Sequence, residues 1–105
     1  MTRAQLKFIA KWQTKLKLRD WDITIKEKRK FKHREQTGAT RTKCTFLEAT
    51  VWIRKGLSKQ EFQRTVVHEL LHIRFGLFSF DGGSALMHEL EVGIEMLARL
   101  LLKGR

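Results

Sequence analysis

The sequence predicts an α+β fold in which one helix precedes three short strands and two helices follow them. Three observations carry that prediction. Apolar residues recur at helical spacing near the N-terminus and again across the second half of the chain. Between those regions lie short segments that alternate with period two. Capping signals and glycines stand where one pattern gives way to the other. At 105 residues the chain is expected to form one domain, residues 1–105, with a thin core.

The first helix opens at Thr2, with Gln5 three residues on in capping-box spacing. Leu6, Ile9, Trp12 and Leu16 make its apolar stripe, and it is expected to end near Leu18. Trp21–Ile25, W-D-I-T-I, reads as a strand. The run from Lys26 to Arg34 is too charged for a core and reads as a strand end and a loop, and Gly38 marks a turn. Two further strands are expected at about Thr40–Phe46 and Glu48–Arg54, with Gly56 ending the second. Ser58-Lys59-Gln60-Glu61 is another capping box, and the helix it starts carries Phe62, Val66, Val67, Leu70, Leu71 and Ile73 before an expected stop at Gly76. Apolar nearly all round, this helix is expected to be central and buried. Asp81-Gly82-Gly83-Ser84 leads into a last helix, about Ala85 to Leu102.

A hydrophobic content of 42%, seven Phe and three Trp fit a folded chain rather than a disordered one. No stretch reaches the roughly 18 uninterrupted apolar residues of a membrane span, so no membrane partner is expected. Cys44 is the only cysteine, and no apolar signal segment follows Met1. Both point to the cytoplasm. The net charge of +11 is uneven: residues 1–43 hold 14 Lys/Arg against 4 Asp/Glu, and residues 44–105 hold 8 against 7. A field of that sign attracts nucleic acid or an acidic protein surface.

His68-Glu69-Leu70-Leu71-His72 is an H-E-x-x-H motif on the second helix. Residues four apart share a helical face, so both imidazoles reach one metal ion. Glu69, one residue past the first ligand, reaches a metal-bound water and serves as general base when that water attacks a carbonyl. A shuffled chain of this composition would show the pattern only about 0.01 times. Two His and a Glu on so apolar a helix are also costly to bury without a purpose. A catalytic zinc wants a third protein ligand, and on the last helix His88, Glu91 and Glu95 share one face. That stripe is expected to face His68 and His72.

With those residues in view, the chain resembles the zincin metallopeptidases, in the gluzincin pattern and in the small zincin-like proteins of phage and bacterial genomes. The resemblance runs over about residues 20 to 102. It rests on the strand Trp21–Ile25, on Ala49-Thr50-Val51, on T-V-V-H-E-L-L-H at Thr65 to His72 and on Glu95-Met96-Leu97-Ala98. It implies a minimal zincin-like fold: an N-terminal helix, a three-stranded mainly antiparallel sheet, the motif helix and a C-terminal ligand helix. It also implies a zinc-dependent hydrolase of peptides or proteins, acting in the host cytoplasm if phage-encoded. Glu91 would be the third zinc ligand, and Glu95 the outer carboxylate on the free nitrogen of a zinc-bound histidine. This chain has no Tyr for an oxyanion, which leaves His88 for that catalytic role. His88 also lies where SprT-like proteases place a third ligand, although their H-G-x-x-F context is absent here. In zincins an edge strand along the cleft pairs with substrate, and Glu48–Arg54, nearest the motif in sequence, is expected to be that strand.

A different reading starts from the basic half. Lys28, Arg29, Lys30, Lys32 and Arg34 can neutralise phosphates, with Phe31 stacking on a base. On that reading the chain is a non-catalytic binding protein on a zincin scaffold, or a DNA-associated SprT-like protease that combines both activities.

Overall fold

The computed structural model describes residues 1–75 and 85–103, apart from the side chains of residues 44 and 85–88. Helix α1 spans Arg3–Lys15 and opens with the full capping box: Thr2 Oγ1 accepts from the Gln5 amide, and the Gln5 side chain accepts from the Thr2 amide. It ends earlier than expected. Lys17 takes a left-handed conformation (φ 58°), its amide donates to the Thr14 carbonyl, and the Leu18 amide donates to the Gln13 carbonyl. That closure turns the chain so that Leu18 drops fully into the core.

Strands β1 (Asp22–Lys28), β2 (Gly38–Lys43) and β3 (Glu48–Arg54) form one sheet in the order β1-β3-β2. β3 runs parallel to β1, from Asp22↔Glu48 to Lys28↔Arg54, and antiparallel to β2, from Gly38↔Ile53 to Lys43↔Glu48. The sheet is therefore mixed, not mainly antiparallel as expected. The charged segment after β1 lacks the tight-turn chemistry of a hairpin. It crosses the end of the sheet instead, delivers β2 to the far edge, and leaves the middle place to β3. The return from β2 uses a short 3₁₀ turn at Cys44–Phe46, where the sequence pattern had suggested continued strand, and Leu47 at φ 51°.

Alternate residues of β3, namely Ala49, Val51 and Ile53, are buried, and they share the core with Val66, Val67 and Leu70 of α2 (Lys59–Phe75). Helix α2 touches α1, β2, β3 and the closing helix α3 (Ala85–Lys103), which makes it the central element. Ile94 and Ala98 of α3 are buried in the same cluster. The expected stop at Gly76 and the loop Asp81–Ser84 lie outside the described residues.

One side chain holds the crossing between β1 and β2. Arg54, the last residue of the central strand, donates from Nε to the Gln36 carbonyl at 2.7 Å, from Nη1 to Arg29 at 3.2 Å, and from Nη2 to His33 at 3.2 Å and Arg34 at 3.1 Å. Its guanidinium carbon also stands 5.0 Å from the Phe31 ring centroid. A planar fork can serve several carbonyls at once, whereas an ammonium is a point donor. Arg54→Lys is therefore expected to lower stability by about 1–3 kcal/mol and to raise hydrogen exchange across residues 29–37. Urea denaturation and exchange mass spectrometry check this, and unchanged protection in that segment would contradict it.

Candidate metal centre

Helical spacing puts His68 and His72 one turn apart on α2, with ring centroids 4.9 Å apart and their Nε2 atoms 3.1 Å apart. Both rings meet α3. Glu91 Oε1 lies 2.7 Å from His72 Nε2, and Glu91 Oε2 lies 3.1 Å from His68 Nε2. The other nitrogen of His68, Nδ1, lies 2.8 Å from Glu95 Oε2. Glu91 and Glu95 stand one turn apart on α3, so their carboxylates address the two opposite nitrogens of the same ring. Glu95 is in turn held by Arg99 Nε at 3.2 Å, with Arg64 Nε at 3.7 Å.

Two imidazoles and a carboxylate are donors that could hold a divalent metal ion such as zinc. A tetrahedral zinc with bonds of about 2.0–2.1 Å needs donor atoms roughly 3.3 Å apart. Two imidazole nitrogens and one carboxylate already stand 2.7–3.1 Å from one another. A widening of roughly 0.2–0.6 Å would admit the ion. Glu95, on the outward nitrogen of His68, would fix that ring with Nε2 toward the metal.

Glu69 adjoins this set. Ligand-capable atoms of His68, Glu69 and His72 lie within 4.8 Å of one another, which on distance alone also admits Glu69 as a ligand. Its carboxylate is engaged elsewhere: Oε1 accepts a hydrogen bond from Thr40 Oγ1 of β2 at 2.6 Å. Glu91 straddles both Nε2 atoms, with one carboxylate oxygen on each ring. The sequence pattern did not single out Thr40 or Gly38. A Cβ on Gly38 would come 2.7 Å from Thr65 Cγ2 and 3.1 Å from Glu69 Cγ, so only glycine lets β2 ride this closely on the motif helix. Read as a turn residue, Gly38 instead begins a strand, and a strand glycine does signal close backbone approach.

These groups line a cleft of about 730 Å³, with residues 35–40 on one side and Arg64, Glu91, Glu95 and Arg99 among those on the other. The strand along it is β2. The expectation that Glu48–Arg54 forms the cleft edge is corrected: β3 is the middle strand, and both its backbone edges are taken by β1 and β2. The backbone of His88 lies in α3, but its side chain is outside the described residues. Of the basic run, Lys28 ends β1, while Arg29, Lys30, Lys32 and Arg34 are exposed on the crossing segment. Phe31 is half-buried, with Lys28 Nζ 5.4 Å from its ring centroid and Arg54 on it as well.

The cluster shifts the titration of its members. Burial alone would lower the His68 imidazole, but the hydrogen bond to Glu91 and the carboxylates of Glu69 and Glu95 outweigh it and raise the ring from 6.5 to about 9. His72 is raised in the same way, against burial, by Glu91 and Glu69. Hydrogen bonds from the two rings hold Glu91 well below the usual carboxylate range. Burial pushes Glu69 up, opposed by Thr40 and the two rings.

No protein-family model, no curated protein and no solved structure matches this chain.

A ring with a folded pKa near 9 and an unfolded pKa of 6.5 binds more protons folded than unfolded. Its stabilising contribution is complete below pH 6.5 and is lost as pH rises through about 9. Metal-free protein is therefore expected to lose stability across that window. Zinc requires neutral rings, so zinc affinity is expected to rise over the same range and binding at neutral pH to release protons. Denaturation against pH, and calorimetric zinc titration in buffers of different ionisation enthalpy, check both signs. Zinc binding without proton release would contradict the arrangement.

Proposed function

We propose that this chain is a zinc-dependent metallopeptidase-like protein that hydrolyses peptide bonds in peptide or protein substrates, with Glu69 as general base. The observation that carries this reading is a division of labour among three carboxylates. Glu91 faces both Nε2 atoms, Glu95 holds the far side of His68, and Glu69 accepts a hydrogen bond from Thr40 on Oε1. His68, His72 and Glu91 would hold zinc, which when bound acidifies water and polarises a carbonyl.

The chain's own residues would do the rest. Glu69 is buried, and burial favours its protonated form, which suits a carboxylate that must accept and then return a proton. Thr40 occupies Oε1, which leaves Oε2 as the proton acceptor. The edge of β2 offers extended backbone on which a substrate strand would pair. His88 is proposed for the oxyanion.

Glu69→Gln is expected to keep zinc and to lower turnover of a quenched-fluorescence peptide pool by about 10²–10⁴-fold. Chelator competition is expected to show Glu91→Ala losing zinc far more than Glu95→Ala, whose loss should be about 10–100-fold. Full turnover in Glu69→Gln would end the hydrolase reading, and loss of zinc in His88→Ala alone would support the SprT-like ligand set instead.

A second reading, binding to a polyanion such as nucleic acid, is supported by one observation. Among the described residues no lysine takes part in an ion pair, and α1 contains no acidic residue. Binding of a single-stranded oligonucleotide is expected to weaken steeply from low to physiological salt, and to weaken at fixed salt when Lys28, Arg29 and Lys30 are reversed in charge. Salt-insensitive or absent binding would leave the run as a solvated surface. Both activities in one preparation would favour a DNA-associated protease.

A further inference from the structure

The face of α3 turned away from the core carries Val92, Met96 and Leu100, which are 41%, 59% and 64% exposed. Spaced four apart, they form one line along the helix. Ile94 and Ala98 lie on the opposite, buried side, and Glu91 and Glu95 reach the cleft. Aligned exposed apolar side chains can serve as an interaction surface.

The line is symmetric about Met96. Val92 and Leu100 lie four residues to either side of it, and the exposed Glu89 and Lys103 lie seven to either side. Neither charge has an ion-pair partner among the described residues. In an antiparallel pairing with a second copy, Met96 would meet Met96, Val92 would meet Leu100, and Glu89 would meet Lys103 at both ends. A parallel pairing would set Glu89 on Glu89 and Lys103 on Lys103. The surface is thus self-complementary in the sense a two-fold interface requires.

Gly93 is a second, independent observation. It lies in the middle of α3 beside the line, and a Cβ added there would meet nothing within 4 Å. Glycine in a helix interior is unfavourable, and among the described residues nothing occupies the space beside it. A helix approaching from another copy would use it.

We propose that this face of α3 is a self-association surface on which a second copy of the chain packs antiparallel, with the two-fold axis at Met96. The cleft faces elsewhere and stays open in the pair. One helix face is a small interface, so the dimer is weak and concentration-dependent.

In a Cys44→Ser background, which removes the chain's only cysteine, cysteine cross-linking reads the register directly, because each variant then carries one thiol. On mild oxidation, Met96→Cys is expected to give a disulfide-linked dimer and the parent chain none. Val92→Cys and Leu100→Cys are expected to cross-link with each other when mixed but not each with itself. In sedimentation, Met96→Glu is expected to weaken association by about tenfold or more. Gly93→Ala is expected to weaken association while raising the melting temperature of the dilute protein. All four positions are exposed, and circular dichroism of each variant checks its fold. A parent chain that stays monomeric at every concentration, equal cross-linking at all positions, or self-cross-linking of Val92→Cys and Leu100→Cys would each overturn the proposal.

Discussion

Two imidazole nitrogens 3.1 Å apart, with one carboxylate across both of them, set the constraint on which this molecule turns. Two protonated rings at that distance repel, and burial of either charge is unfavourable unless it is compensated. The Glu91 carboxylate supplies the compensation, and the same contact joins α2 to α3. A cation between the rings would satisfy the same donors without protons. The contact between the rings and Glu91 thus joins α2 to α3 beside the apolar packing of Ile94 and Ala98.

The cleft around that cluster is built by residues with no chemistry of their own. Arg54 draws the crossing segment down onto the end of the central strand, and this carries residues 35–37 to the cleft wall. Gly38 then lets β2 lie against Thr65 and Glu69, close enough for Thr40 to reach the Glu69 carboxylate. The Thr65 hydroxyl adds a bond to Thr37 at 2.9 Å on the same seam. Packing of an edge strand against a helix thus fixes the orientation of the proposed base. A strand one place further off would leave Glu69 buried without its donor.

Much of this was legible in local patterns. The capping boxes at Thr2 and Ser58 mark helix starts that the structure has, and period-two alternation marks β3 at Glu48–Arg54. The i, i+4 pairs His68/His72 and Glu91/Glu95 are visible as spacing, and the structure brings all four to one cleft together with Glu69. Sheet order was not legible, because a strand's own pattern reports which side chains are buried and not which neighbour takes its backbone. For that reason β3 looked like a cleft edge when β2 is one. Arg54 was invisible for a different reason: its partners are backbone carbonyls, which every residue carries. Thr40 reads as an ordinary strand residue until the chain is folded against α2.

X-ray absorption at the zinc edge, on protein carrying one equivalent of zinc, tests the central claim most directly. The predicted result is a shell of nitrogen and oxygen donors at about 2.0–2.1 Å, with the multiple scattering of two imidazoles and no sulfur. One imidazole pattern should disappear in His72→Ala, and the oxygen component should change in Glu91→Ala. Failure to take up zinc stoichiometrically, a sulfur donor near 2.3 Å from Cys44, or a spectrum unaltered by both substitutions would contradict it.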